Sequence, residues 1–239
     1  MNIALIGYGK MGQEIEKMAL ERNHTISLII DKENLQELHH LSSYDIDVAI
    51  EFTTPETAFN NYIQCFSDNI PVVSGTTGWL DKYDEIIDIC KKNQNTFFYA
   101  SNFSLGVNIF FELNKKLGKM MNQFPEYKAE LEEIHHVHKL DAPSGTAVSL
   151  ANDLISELDR INHWKLIPGE CNDNDLPVKA IRKGEINGTH KIIYNSEIDT
   201  IQISHEAKSR KGFVLGALLA AEFIQNKTGI FGMNDLIQL

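Results

Sequence analysis

Asn2-Ile3-Ala4-Leu5-Ile6-Gly7-Tyr8-Gly9-Lys10-Met11-Gly12 is the stretch that decides the fold. A short apolar strand runs directly into a G-x-G-x-x-G turn. Met11, Ile15, Met18 and Ala19 then recur at helical spacing, and Thr25 to Ile30 forms a second apolar strand that ends at Asp31. Asp31 lies 19 positions after Gly12, close to the roughly 20 expected for an acid that accepts hydrogen bonds from ribose hydroxyls. In this reading Gly7 makes the turn, Gly9 lets a pyrophosphate approach, and Gly12 permits close helix–strand packing. A glycine turn of purely structural use would account for the glycines, but not for the strand, helix and acid around them. The stretch therefore reads as a dinucleotide site. A carboxylate at Asp31 favours the free 2′-hydroxyl of NADH, whereas the cation of Lys32 can offset the 2′-phosphate of NADPH, so both cofactors stay open.

Working outward, the alternation continues. Val48 to Phe52 is a third strand, and Thr53-Thr54-Pro55-Glu56 opens a helix with Pro55 in its first turn. Pro71 to Ser74 is a fourth strand, a helix runs through Ile86, Ile87 and Cys90, and Thr96 to Ala100 is a fifth strand. Such βαβ repetition predicts a Rossmann-like, doubly wound parallel sheet, with ligands beyond the C-terminal strand ends. Gly75, Thr76 and Thr77 fall at one such end, and Ala100, Ser101, Asn102 and Phe103 at another. They are candidates for the nicotinamide side, although ordinary turn chemistry explains them as well.

Past Asn102 the pattern changes to a helix from about Gly106 to Met121 and a strand from Ala129 to His138. Strands at Val178–Arg182, Gly188–Tyr194 and Thr200–His205 follow, with Glu185-Ile186-Asn187-Gly188 suggesting a hairpin turn. This half predicts an α+β substrate domain built on an open mixed sheet. From Gly212 to Gln225 small and apolar residues dominate, as in a largely buried helix. The expected division is a nucleotide domain at 1–104, a substrate domain at 105–211, and a segment at 212–239 that returns to the nucleotide domain.

The second decisive stretch is Glu132-Glu133-Ile134-His135-His136-Val137-His138-Lys139-Leu140-Asp141-Ala142-Pro143-Ser144-Gly145-Thr146-Ala147. Four basic side chains come off a strand end. Ser144 is a good helix N-cap, Gly145 lets the backbone come close to a ligand, and the amides of Gly145 and Thr146 would sit at a helix N-terminus, which favours a carboxylate or phosphate. Lys139 can hold a second anionic group or deliver a proton. Strand alternation puts His136 and His138 on one side and His135 on the other. A three-ligand zinc site would need another partner, so no metal is expected.

Composition narrows the classes. With 43% hydrophobic and 23% charged residues the chain is an ordinary globular protein, and a formal charge of −11 argues against nucleic acid or anionic membranes as its main partner. No apolar run reaches the roughly 18 residues of a membrane span, and the start goes straight into a strand, so a cytoplasmic protein is expected. Cys65, Cys90 and Cys171 show no metal or disulfide spacing, so reduced and mostly buried thiols are expected.

Taken together these residues resemble the bacterial 4-hydroxy-tetrahydrodipicolinate reductases, also called dihydrodipicolinate reductases, of the diaminopimelate route to lysine. The matching motifs are Gly7 to Gly12, Gly75-Thr76-Thr77-Gly78, Ser101 to Asn108, Glu133 to Ala147, Ile181-Arg182-Lys183-Gly184, and Ile203 to Ala207 with Ser209-Arg210. The resemblance implies hydride transfer from NADH or NADPH to a small cyclic dicarboxylate, and a homotetramer built through the second domain's sheet. It implies that His135 is a proton donor or acceptor, that Lys139 is the proton donor, and that His136, Gly145 and Thr146 touch substrate. Ser144 and Arg210 would complete two anion sites for the ring carboxylates. Gly7, Tyr8, Gly9, Lys10, Met11, Gly12, Asp31, Gly75 to Thr77 and Ala100 to Phe103 match the cofactor shell. One departure is the connection from Asp31 to Asp47, only 15 residues where better-known members carry a longer insert. Another reductase of the same architecture, or a non-catalytic NAD-responsive protein, would share Gly7 to Asp31 but need not carry the Lys139–Thr146 constellation.

Overall fold

The computed structural model describes residues 1–238. In chain order the elements begin β1 (Asn2–Ile6), α1 (Lys10–Glu21), β2 (Thr25–Ile30), β3 (Val48–Glu51), α2 (Pro55–Ser67), β4 (Val72–Ser74), α3 (Tyr83–Asn93) and β5 (Thr96–Tyr99). Next come α4 (Leu105–Met121), β6 (Lys128–His135), α5 (Gly145–Glu157), β7 (His163–Ile167), β8 (Asp175–Arg182), β9 (Thr189–Asn195) and β10 (Thr200–Glu206). The chain closes with α6 (Lys211–Ile224), β11 (Gly229–Phe231) and α7 (Met233–Ile237). Two compact units result, Met1–Leu105 with Lys211–Leu239, and Gly106–Arg210.

The first unit is a six-stranded parallel sheet in the order β11-β5-β4-β3-β1-β2. Its central strands are covered on both faces, which is why they read as continuous apolar runs. Alternate residues go to opposite cores. Ile3, Leu5, Val48, Ile50, Val73 and Phe98 meet α1 and α6, while Ala4, Ile6, Ala49, Val72 and Phe97 meet α2 and α3. In the second of these cores Trp79 is ringed by Tyr62, Phe97 and Tyr99 at 5.0–6.0 Å between ring centroids. Emptying that site with Trp79→Ala would cost about 3–5 kcal/mol. The return of α6 to this unit depends on Gly216, where a Cβ would lie 1.8 Å from the carbonyl oxygen of Phe103.

The second unit is a five-stranded mixed sheet, β10-β9-β6-β8-β7. β7, β8 and β6 run parallel, and β9 runs antiparallel to both β6 and β10. Helices α4 and α5 pack on one face, with Phe110, Leu150 and Leu154 against Leu131, Val178, Ile192 and Tyr194. Asn114 Nδ2 donates to the Leu150 carbonyl at 3.0 Å and ties the two helices together.

Two local expectations are corrected. The strand read as running to His138 stops at His135, because Val137 and Lys139 enter a turn, their amides donating to the carbonyls of Gly184 and His136. Residues 185–188 do not close a hairpin, since β6 lies between β8 and β9. β7, β11 and α7 escaped the sequence reading, being short elements of weak periodicity.

Candidate active site

In the first unit, β1 delivers Gly7 at φ +96, a conformation open to glycine. A Cβ on Gly12 would stand 2.4 Å from the Gly7 carbonyl oxygen, so the start of α1 is locked against the turn. Gly9 differs, with nothing within 4 Å of where its Cβ would be. Helix α1 begins there without a side-chain cap and without an acid in its first turn, which leaves its amide end suited to an anion. A cavity of about 830 Å³ opens alongside, lined by Gly7, Tyr8, Gly9, Asp31 and Lys32 and walled by Leu35, Leu38 and His39. The glycine cradle, the open position at Gly9 and the carboxylate of Asp31 fit a dinucleotide.

The short Asp31–Asp47 connection is folded into two short 3-10 helices, the first of which, Leu35–His39, supplies Leu35, Leu38 and His39 to the cavity. These residues carried no motif, and only their place beside Asp31 gives them meaning. Lys10, Met11 and Gly12 lie outside the cavity's lining, as do Gly75 to Thr77 and Ala100 to Phe103. Several have structural duties. The Tyr8 hydroxyl is bound to Glu16. A Cβ on Gly75 would strike the Phe52 ring at 2.1 Å. Thr76 Oγ1 accepts from the Thr53 amide at 2.7 Å and donates to Glu51 at 3.0 Å.

Glu51, at the end of β3, was hidden inside what reads as an apolar run. It is fully buried and accepts from Thr53 Oγ1, Ser74 Oγ (2.8 Å), Thr76 Oγ1 and Asn61 Nδ2 (3.4 Å). Burial pushes its carboxyl above the ordinary range, with those four donors pulling the other way. The network joins β3, β4 and α2 under Thr53 and Asn61, both of which line the cavity.

In the second unit the strand β6 turns Ala129, Leu131, Glu133 and His135 inward. Two apolar residues seat the core, and the next two are ionisable. Glu133 is fully buried. Its Oε1 accepts from the Ser144 amide at 3.0 Å and from Arg182 at 3.1 Å. Its Oε2 lies 3.2 Å from His135 Nδ1 and 3.8 Å from His190 Nε2. Burial pushes the Glu133 carboxyl up, but the nearby His135 ring and the hydrogen bonds from Ser144 and Arg182 outweigh it and hold it at about 2. Burial, with His135 alongside, pushes His190 down to about 4.

Glu133, His135 and His190 each bring one ligand-capable atom within 4.8 Å of the others. The guanidinium of Arg182 already offsets the single carboxylate there, so the cluster reads as a hydrogen-bonding one. His136 and His138, read as sharing one face of a strand, are neighbours in the turn at 5.9 Å between ring centroids, and His138 Nε2 meets Glu185 at 3.0 Å. Lys139 Nζ is held 2.9 Å from Asp141. Arg182 steadies that loop through the carbonyls of Lys139 (3.3 Å) and Asp141.

Ser144 is the N-cap of α5, accepting from the Ala147 amide at 3.2 Å, and its hydroxyl also meets His190 Nε2 at 3.2 Å. That hydroxyl therefore already has two protein partners. At Gly145 a Cβ would find nothing within 4 Å, so the turn borders open space. Arg210 is exposed. Sequence reasoning passed over Glu133, Arg182 and His190 as functional groups. The i, i+2 spacing of Glu133 and His135 was a usable signal; the others depend on strand pairing, His135 opposite Arg182 and Glu133 opposite His190.

Among the described residues no helix is long and apolar enough to cross a membrane. Cys65 and Cys90 are buried and Cys171 is exposed, all as free thiols.

Comparison with known proteins covers both units. Residues 1–103 match the family model "Dihydrodipicolinate reductase, N-terminus", and residues 106–237 match "Dihydrodipicolinate reductase, C-terminus". A 4-hydroxy-tetrahydrodipicolinate reductase from Christiangramia forsetii is 51% identical over 99% of this chain and 98% of its own length. One from Thermosipho africanus is 34% identical over 100% and 98%. In fold the chain is similar to a dipicolinate-bound dihydrodipicolinate reductase from Paenisporosarcina sp. TG-14, with a TM-score of 0.78 at 23% identity over 99% of both chains.

Proposed function

Because this chain belongs to the dihydrodipicolinate reductase family, we propose that it reduces (2S,4S)-4-hydroxy-2,3,4,5-tetrahydrodipicolinate to (S)-2,3,4,5-tetrahydrodipicolinate, consuming NAD(P)H and releasing water. The observation that carries this reading is the convergence of His135, the Lys139 loop and the open Gly145 turn on one buried carboxylate. The reaction serves lysine and diaminopimelate synthesis, and a cytoplasmic location accords with its use of NAD(P)H.

The nucleotide supplies a hydride when bound. Once water has left, the two electrons of the hydride enter the unsaturated ring, and the negative charge that develops on the carbon conjugated with the imine must be quenched by one proton. Lys139 delivers that proton, and His135 is placed to take and return one. Gly145 and Thr146 receive one ring carboxylate at the start of α5, where backbone donors and dipole favour an anion. His136, Lys139 and Arg210 receive the other. Lys139 has to exchange Asp141 for substrate, an exchange made easy because Asp141 is largely exposed and their ion pair is weak.

In the first unit Asp31 accepts from the adenosine ribose, Gly9 admits the pyrophosphate, and Lys32 tolerates a 2′-phosphate. Both NADH and NADPH serve. Gly75 to Thr77 and Ala100 to Phe103, at the C-terminal ends of β4 and β5, hold the nicotinamide end through their backbone. The face of the second sheet turned away from α4 and α5 carries Glu132 paired with Lys191 and Lys179, and this face joins copies into a homotetramer.

The function is tested by coupling: the unstable substrate is generated in place by the aldol-condensing synthase that precedes it, and oxidation of NADH or NADPH is followed. Oxidation that depends on both the synthase and this protein supports the reading. Nucleotide binding without oxidation would leave only a nucleotide-binding protein.

A further inference from the structure

Resting on the assignment of His135 and Lys139 above, we propose that Glu133 is the positioning residue of this site. Its one buried carboxylate fixes the His135 ring with Nδ1–H toward Oε2, and through Arg182 and Ser144 it sets the Lys139 loop and the Gly145 turn.

A fully buried carboxylate in a column that begins Ala129, Leu131 is costly unless its neighbours compensate it. Those neighbours come from four separate places. Ser144 stands at the start of α5, Arg182 ends β8, His190 lies on β9, and His135 follows on the same strand. Arg182 also donates to the loop, at the carbonyls of Lys139 and Asp141, and to its own strand at the Ile181 carbonyl. Removing the carboxylate would therefore loosen the proton donor's loop and the anion turn together with the histidine.

The His135 ring has a neighbour on each side. Nδ1 and Oε2 approach at 3.2 Å without hydrogen-bond alignment, and neither atom has a hydrogen-bond partner among the described residues. With the proton on Nδ1 this contact is attractive; with the proton on Nε2 the Nδ1 lone pair would face a carboxylate, which is repulsive. A neutral ring therefore keeps its lone pair on Nε2, the atom that exchanges a proton. On the Nε2 side stands Gly188, where a Cβ would come within 3.0 Å. The charged and titratable groups facing the ring are Glu133 on its own strand, Arg182 on β8 and His190 on β9, with Lys139 in the loop and His205 on β10 acting on the same cluster.

The test uses Glu133→Gln, which keeps the shape and removes the charge, together with two-bond proton–nitrogen spectra of the imidazoles, His135 being assigned by comparison with His135→Gln. Wild-type protein should show neutral His135 with its proton on Nδ1. In Glu133→Gln, kcat should fall by about 10–100-fold, substrate KM should change less than kcat, nucleotide affinity should hold, and the imidazole spectra should show His135 protonated on Nε2 as well as on Nδ1. A merely structural role would reduce the amount of active protein without changing the His135 tautomer. An unchanged tautomer with wild-type kcat would overturn the proposal. So would a wild-type spectrum with the neutral proton on Nε2, a result that does not require the variant to fold. Failure of wild type to turn over the substrate would strike the underlying assignment instead, and the spectrum would still decide the orientation of His135.

Discussion

Glu133 and His135, two positions apart on β6, both face inward and place carboxylate Oε2 3.2 Å from imidazole Nδ1. The pair marks where the buried face of the strand changes from apolar to ionisable residues. Two residues earlier, Leu131 on the same face sits in the core.

Two glycines of the nucleotide turn, buried Gly12 and exposed Gly9, should respond differently to the same change. Gly12→Ala forces a Cβ against the Gly7 carbonyl oxygen at 2.4 Å, so it should destabilise the protein by about 1–3 kcal/mol. Gly9→Ala meets nothing within 4 Å. It should leave thermal stability unchanged while weakening nucleotide binding, as read by fluorescence titration with NADH.

Cofactor choice should turn on Asp31 and Lys32, which share the cavity. NADH should be used at least as well as NADPH. Lys32→Ala should leave NADH kinetics intact and raise KM for NADPH by up to about tenfold. A strict NADPH preference that survives the substitution would contradict the roles given to both residues.

Stability should depend on pH through His190. Its folded value of about 4 lies below the ordinary 6.5 because it is buried. Between those values the unfolded chain binds more protons, so stability is full above pH 6.5 and is lost as pH falls toward 4. The loss from this group is on the order of 3 kcal/mol. Glu133, held at about 2, begins to lose its own contribution only below about 4.5. Urea unfolding at pH 7 and pH 4.5 should show a larger drop in wild type than in His190→Gln. The difference between the two proteins cancels the opposite trend of Glu51, whose raised value favours the folded state at lower pH.

Pyridine-2,6-dicarboxylate carries two carboxylates spaced like those of the substrate and should compete with it. Gly145→Ala fits without a clash and improves helix propensity at the first residue of α5 by up to about 1 kcal/mol. Inhibition should nonetheless weaken, because the new methyl occupies the space a carboxylate would enter. Equal inhibition of both proteins would move the anion site away from this turn.

The first unit was largely legible in the sequence because its chemistry is local. Gly7, Gly9 and Gly12 and the strand before them fall within eleven residues, and strands buried on both faces announce themselves as apolar runs. The second unit hid its organisation in strand pairing. Nothing local says that β6 separates β8 from β9, yet that order sets His190 and Arg182 beside Glu133 and His135. Glu51 stayed hidden for a related reason. Its compensating donors come from β4 and α2, and in the chain it looks like one acid at the end of a strand.

The central claim is that the loop after β6 carries the proton chemistry of the reduction. Its most direct test is steady-state turnover of Lys139→Met with substrate generated in place, after circular dichroism has shown the variant folded. Lys139 contacts Asp141 at the surface of its unit, so the fold should survive. Turnover should drop about 10²–10⁴-fold while NADH affinity stays at the wild-type value. Near-normal turnover in a folded Lys139→Met protein would contradict the account.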